Sequence, residues 1–182
     1  PEGFQARPGQ FVKLGAEVDG EAYNRFYTVS SADTEDSFEV TVEVDPEGDL
    51  GPYLGALDAG DTLTMSGPFG NAYYEDEPRA VVLAGGPGVG PAIGIARRAL
   101  AEGHEAAVVY RDDDPIHQDA LAAIESQGAT VHVLAVDEDM TDAVADALAG
   151  TDGEQAFVYG FADFLDAATA ADQLAAAPAV RI

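Results

Sequence analysis

Residues 83–94 read LAGGPGVGPAIG, and this stretch decides the fold. It follows a short, continuously apolar run, AVVLAG (80–85), and opens a helical stretch from about Pro91 to Glu102. An unbroken apolar strand belongs in a parallel sheet that is covered on both faces. Gly85, Gly86, Gly88 and Gly90 allow a tight turn and let a ligand approach the backbone without side-chain obstruction. The helix start adds free N–H groups and a partial positive charge, which suit a pyrophosphate. The spacing is not the G-x-G-x-x-G dinucleotide fingerprint. Taken alone, the stretch fits either an anion-binding turn or a tight turn with no ligand.

Downstream, strands alternate with alanine-rich helices. EAAVVYR (105–111), TVHVLAV (130–136) and QAFVYG (155–160) read as strands. IHQDALAAIESQ (116–127), MTDAVADALAG (140–150) and ADFLDAATAADQLAAA (162–177) read as helices. Pro178 ends the last helix, and AVRI begins a final strand. Repeated βα units predict a right-handed parallel sheet with helices on both faces.

Upstream, beyond the acidic linker YEDEPR (74–79), the pattern changes to strands and turns. FVKLGAEV (11–18), RFYTVS (25–30), SFEVTVEVD (37–45) and DTLTMSG (61–67) show partial period-two alternation. Pro8-Gly9, Asp19-Gly20, Glu47-Gly48 and Ala59-Gly60 mark the turns. One short helix fits PYLGALD (52–58), with Pro52 in its first turn. The predicted fold class is therefore α+β with two domains: an antiparallel β-barrel over 1–76, then a parallel α/β nucleotide-binding domain over 77–182.

Composition excludes several functions. There are no cysteines, which removes disulfides, cysteine-ligated iron–sulfur clusters and thiol catalysis from this chain. His104, His117 and His132 are scattered without zinc-type spacing, so no metal site is expected. No apolar run approaches the ~20 residues of a membrane span. Thirty-four acidic residues against 8 basic ones give a formal net charge of −26, which disfavours nucleic acid as a partner. So much like charge strains a compact state in ordinary salt. In molar salt the screening length falls to ~3 Å and the repulsion largely disappears. Lys13 is the only lysine, and the carboxylates are interspersed with regular apolar patterning. The composition reads as that of an extreme halophile's cytoplasmic protein.

A second chemical signal is RFYTVSS (25–31). With period two, Arg25, Tyr27 and Val29 share one face and Phe26, Thr28 and Ser30 the other. Arg25 can hold a phosphate bidentately. Tyr27 offers a flat surface to an aromatic ring, and Thr28 a hydroxyl at the ring edge. The same pattern also suits an ordinary barrel strand with a core tyrosine and a surface arginine.

The order of segments distinguishes these readings. PGQFV, RFYTVSS, GDLGPYL, GPFG, GGPGVGP and VYGF follow one another along nearly the whole chain. This order resembles the ferredoxin–NADP reductase family of flavoproteins, which pairs a flavin-binding barrel with a nucleotide-binding α/β domain. The resemblance implies that Arg25 holds the flavin pyrophosphate and Tyr27 packs on the isoalloxazine. Thr28 then hydrogen-bonds near the hydride-accepting nitrogen, so Tyr27 and Thr28 are the catalytic candidates; Val29 continues this cofactor-binding strand. Gly85, Gly86, Gly88 and Pro91 match the family's NAD(P) pyrophosphate loop. GPFG (67–70) matches the segment that leads from barrel to second domain. The implied activity is hydride transfer from NAD(P)H to FAD, with electrons passed to an acceptor such as ferredoxin or a partner subunit.

The chain departs from the family pattern in places. Gly51 stands where a serine or threonine usually serves the flavin pyrophosphate, leaving its backbone N–H. Pro87 replaces a threonine of the glycine loop, which removes a hydroxyl and a backbone donor. Tyr159-Gly160-Phe161 stands where the family has cysteine–glycine–proline beside the nicotinamide. Tyr159 fits either ring packing or a core position. Pro87 and Tyr159 favour, as the alternative, an FAD-bearing electron-transfer or regulatory subunit with weak or no NAD(P)H binding. Arg111 closes the second strand of the α/β domain and favours NADP, whereas Asp112, Asp113 and Asp114 favour NAD. The family's first barrel strand and its final segment have no counterpart here, and the chain reads as an excerpt of a longer protein.

Overall fold

The computed structural model describes residues 3–34, 37–170 and 180–182. Three strands form an antiparallel sheet: β1 (Phe11–Val18), β2 (Glu21–Thr28) and β3 (Thr64–Phe69), in the order β2-β1-β3. β1 and β2 are joined at Asp19 and Gly20, both at positive φ, the backbone a two-residue hairpin turn requires. One face of this barrel-like sheet packs on Phe4, Val12, Leu14 and Val29, with Tyr27, Phe38 and Met65 against them. Helix α1 (Leu50–Gly55) begins two residues before the expected Pro52 and buries Leu50.

The expected strand over 37–45 is not a strand. Val40 makes an isolated antiparallel bridge with Val29, and the Ser30 N–H donates to the Glu39 carbonyl. Phe38 and Val40 still pack on the barrel core, which is what their alternation encoded. Beyond the bridge, 41–49 leaves the sheet and runs along the boundary between the domains.

The second domain is a five-stranded parallel sheet in the order β6-β5-β4-β7-β8. Its strands are β4 (Arg79–Gly85), β5 (Glu105–Arg111), β6 (Thr130–Leu134), β7 (Glu154–Tyr159) and β8 (Val180–Arg181). Helices α2 (Val89–Ala101), α3 (Gln118–Ser126), α4 (Thr141–Ala147) and α5 (Ala162–Ala170) alternate with them. The continuation of the last helix to 177 and Pro178 lie outside the described residues. Alternate side chains of β4 enter two separate cores. Ala80, Val82 and Ala84 meet α2 and α3 through Ile95, Leu121 and Ile124. Val81 and Leu83 meet α4 and α5 through Val144 and Phe164. A strand buried on both faces has no reason to alternate, hence its unbroken apolar run.

Strand β6 stops two residues short of the expected Val136. The N–H groups of Ala135 and Val136 turn instead to the carboxylates of Glu138 (2.6 Å) and Asp113 (2.9 Å). At the opposite end of the sheet, Arg79 donates to the Glu154 carboxylate at 3.0 Å and to the Ala147 carbonyl at 2.7 Å. Glu154 is buried and also accepts the N–H groups of Ala149 and Gly150. This buried charge is both paired and hydrogen-bonded, the condition for it to be tolerated.

Candidate functional site

A cleft of about 1280 Å³ lies between the two domains. It opens beyond the C-terminal ends of β4 and β7, whose following loops leave the sheet on the two sides of its centre. Ligands of open α/β sheets bind at such switch points. The cleft exceeds the roughly 300–1,000 Å³ of a pocket for one drug-sized ligand, so it has room for two large groups.

The barrel wall carries Arg25, Tyr27 and Thr28 at the end of β2, with Gly51 at the start of α1. Arg25 is exposed; its guanidinium donates to the neighbouring Asn24 carbonyl at 2.9 Å and has no ion pair among the described residues. It is an available cation in a chain of strongly opposite charge. Tyr27 is half-buried, and burial raises its phenol above the ordinary value against the opposing charge of Arg25. Its ring is therefore a neutral, fixed surface. Val29 is fully buried in the barrel core and does not line the cleft; its N–H is taken by the Gln10 carbonyl. It supports the strand and does not offer itself to a cofactor.

The opposite wall carries Pro87, Gly88, Pro91, Tyr159, Gly160 and Phe161. The glycine stretch forms a single 3-10 turn at Gly86–Gly88 and passes directly into α2. Its glycines divide by task. Gly85 lies under Phe164, where a Cβ would come within 2.5 Å of the ring, so it serves packing and does not line the cleft. Gly86 takes φ +54°, the left-handed backbone that turns the chain out of β4. A side chain on Gly88 would strike the Tyr159 carbonyl at the end of β7. Gly90 and Gly94 face the barrel: Gly90 rests on the hydroxyls of Ser30 and Thr41, and a Cβ on Gly94 would lie 2.5 Å from the Ser30 carbonyl oxygen. Part of the glycine signal thus encodes the junction between the domains.

Tyr159 proves to be an interface residue. Its hydroxyl donates to the Ala72 carbonyl at 2.8 Å, across from β7 to the chain that links the domains, and Gly9 packs against the same hydroxyl. Burial keeps this phenol protonated well above its ordinary range. The ring still forms part of the cleft wall, so the two readings of Tyr159 are combined.

Arg111 does not reach the cleft lining. Its guanidinium sits 5.4 Å from the centre of the Phe164 ring. Of the aspartates after it, Asp112 accepts the Tyr110 hydroxyl and the Asp114 N–H, and Asp113 accepts the Val136 N–H. These carboxylates shape the loop. Sequence reasoning missed the acidic segment 41–49 as a wall, with Glu43, Asp45 and Asp49 in the lining, and it missed Phe161 and Arg181. Arg181 is held by Glu75 and Glu77 at 2.9 and 2.7 Å. No periodicity signals a segment that leaves its sheet. Among the described residues no group of three or more His, Cys, Asp or Glu is placed to hold a metal ion, and no helix is long and apolar enough to cross a membrane.

Residues 2–74 match the oxidoreductase FAD-binding domain family. The first domain is therefore an FAD-binding domain by its sequence, and the whole chain shares the fold of solved ferredoxin–NADP reductase-like proteins. A glycine betaine monooxygenase reductase subunit of Chromohalobacter salexigens is 40% identical over 98 residues, which cover 52% of this chain and 27% of that protein. A flavohemoprotein of a Burkholderia species is 30% identical over 136 residues, covering 68% of this chain and 34% of the other. Among solved structures, the FAD/NAD binding domain of a Vibrio cholerae nitric oxide dioxygenase superposes with a TM-score of 0.74 at 18% identity, covering 97% of this chain and 82% of that one. A Neisseria gonorrhoeae ferredoxin NADP+ reductase with bound FAD and NADP gives 0.71 at 17%, covering 98% and 82%. The shared fold thus spans both domains, while the chain matches only about a quarter to a third of the length of these two relatives.

Proposed function

We propose that this chain is the reductase portion of an NAD(P)H-dependent flavoprotein oxidoreductase, holding FAD on the barrel wall and NAD(P)H on the glycine-turn wall of one cleft. The observation that carries the reading is the opposition of the two sets of residues. Arg25, Tyr27, Thr28 and Gly51 face Gly88, Pro91, Tyr159 and Gly160 across a single space. FAD held there would supply the redox chemistry, hydride acceptance from the nicotinamide and electron release to a protein acceptor such as ferredoxin or a partner subunit. The chain's own work is placement. Arg25 neutralises diphosphate charge, Tyr27 supplies the flat apolar face, and the Thr28 hydroxyl hydrogen-bonds at the ring edge. The turn at Gly86–Gly88 and the first N–H groups of α2 receive the coenzyme diphosphate.

Purified protein loaded with FAD is expected to show flavin absorbance that bleaches on anaerobic mixing with NADH or NADPH in molar potassium chloride. Absence of bleaching with both coenzymes would sink the reading. A second reading, an FAD-bearing electron-transfer subunit with weak coenzyme binding, draws support from Pro87 in the cleft wall, which has no N–H to donate. It predicts a flavin spectrum without bleaching. The net charge of −26 supports a cytoplasmic setting of high salt for either.

A further inference from the structure

Segment 41–49 brings one group to the cleft that the proposed function leaves without a task. Glu43 is exposed, stands on the barrel side and lines the cleft. Its Oε2 lies 3.5 Å from the point that a Cβ on Gly86 would occupy, and the Phe161 ring borders the same point at 3.9 Å. Gly86 is the left-handed residue that turns the chain out of β4 into the anion-receiving turn. A carboxylate of the first domain is therefore set against the glycine turn of the second. Among the described residues it has no hydrogen-bond or ion-pair partner to neutralise it. Asp45 and Asp49 continue the same wall, and Pro87 leaves the turn one N–H donor short.

We infer that Glu43 sets the affinity for the coenzyme, a carboxylate that opposes the nucleotide diphosphate at the glycine turn and makes coenzyme binding strengthen with salt. The inference rests on the coenzyme half of the function proposed above. Unit charges a few ångströms apart repel appreciably even in water, and molar salt cuts the screening length to about 3 Å. In dilute salt Glu43 weakens binding; in molar salt it is electrostatically silent. Because NAD+ and NADP+ carry the same diphosphate, it acts equally on both coenzymes.

The test is calorimetric titration of NAD+ and NADP+ into the FAD-loaded full chain. Wild type, Glu43→Gln and a control, Glu17→Gln, are compared in molar potassium chloride and in the lowest salt at which circular dichroism shows the fold intact. Glu17 is exposed on β1 and outside the cleft lining. In low salt, Glu43→Gln is expected to bind both nucleotides about five- to tenfold tighter than wild type. In molar salt the two bind alike, and Glu17→Gln matches wild type throughout. Equal affinities of wild type and Glu43→Gln in low salt overturn the inference. So does an equal gain from Glu17→Gln, which would assign the effect to net charge and not to position. Normal FAD binding with no nucleotide binding by any variant in any salt overturns both this inference and the coenzyme half of the proposed function.

Discussion

Tyr110 shows how single side chains set the response of the fold to alkali. It is fully buried on β5, and its hydroxyl donates to the Asp112 carboxylate at 3.0 Å. Burial above all, and the Asp112 carboxylate, push its pKa from the ordinary 10 up to about 12, although the Ile116 N–H donated to its oxygen works the other way. Burial likewise raises Tyr74 and Tyr159. A raised phenol pKa means that the unfolded chain loses its proton first. Stability is then whole below pH 10 and declines as pH rises toward 12. Thermal melts in molar salt are expected to show this decline, and Tyr110→Phe to flatten it. An unchanged slope in the variant would remove Tyr110 as a cause. At this scale much was legible. Arg25, Tyr27 and Thr28, singled out by their motif, line the cleft. Val29 and Arg111 were misplaced because strand alternation and strand ends do not say which groups a core or a neighbouring ring will claim.

Helix α2 joins the two domains, and its small residues decide how. Gly90 and Gly94 are one helical turn apart, so they lie on one face. That face rests on Ser30 and Thr41 of the first domain. The contact is reinforced just ahead of α3, where His117 Nε2 lies 3.3 Å from the Thr41 hydroxyl. Gly94→Ala places a methyl against a backbone carbonyl that cannot rotate away. The change is expected to cost about 1–3 kcal/mol of stability, the range for overpacking. The expected readouts are a lower Tm and weaker FAD binding, since this contact holds together the two domains that wall the cleft. A Tm equal to or above wild type would show that the domains are not held here. From sequence alone, Gly90 reads as a turn glycine open to a ligand, and Gly94 lies in the helical stretch that follows. Glycine permits close approach, but only the fold shows whether ligand or protein approaches.

Over the whole molecule, a net charge of −26 sets like-charge repulsion against the compact state, and salt screens it. Thirty-four carboxylates face 8 cations, and three of those cations, Arg79, Arg98 and Arg181, are already engaged in ion pairs. The remainder of the negative charge is left to the solvent to screen. The protein is expected to melt cooperatively as potassium chloride is lowered from molar to millimolar. Circular dichroism that stays unchanged across that range would refute the high-salt reading.

The sequence by itself determined the periodic and the covalent features. The unbroken run 80–85 matches β4 in a parallel sheet, whose strands are covered by helices on both faces. The ordered motifs then assign an FAD-binding barrel ahead of it. Tertiary structure alone decided what the aperiodic parts do. It drew 41–49 out of the sheet and stood Glu43 beside Gly86. It gave Tyr159 the Ala72 carbonyl, and it set Gly90 and Gly94 at the domain junction. Periodicity reports which face of an element is buried. It carries no information about which distant segment lies opposite, and in this protein the site is made where two domains meet.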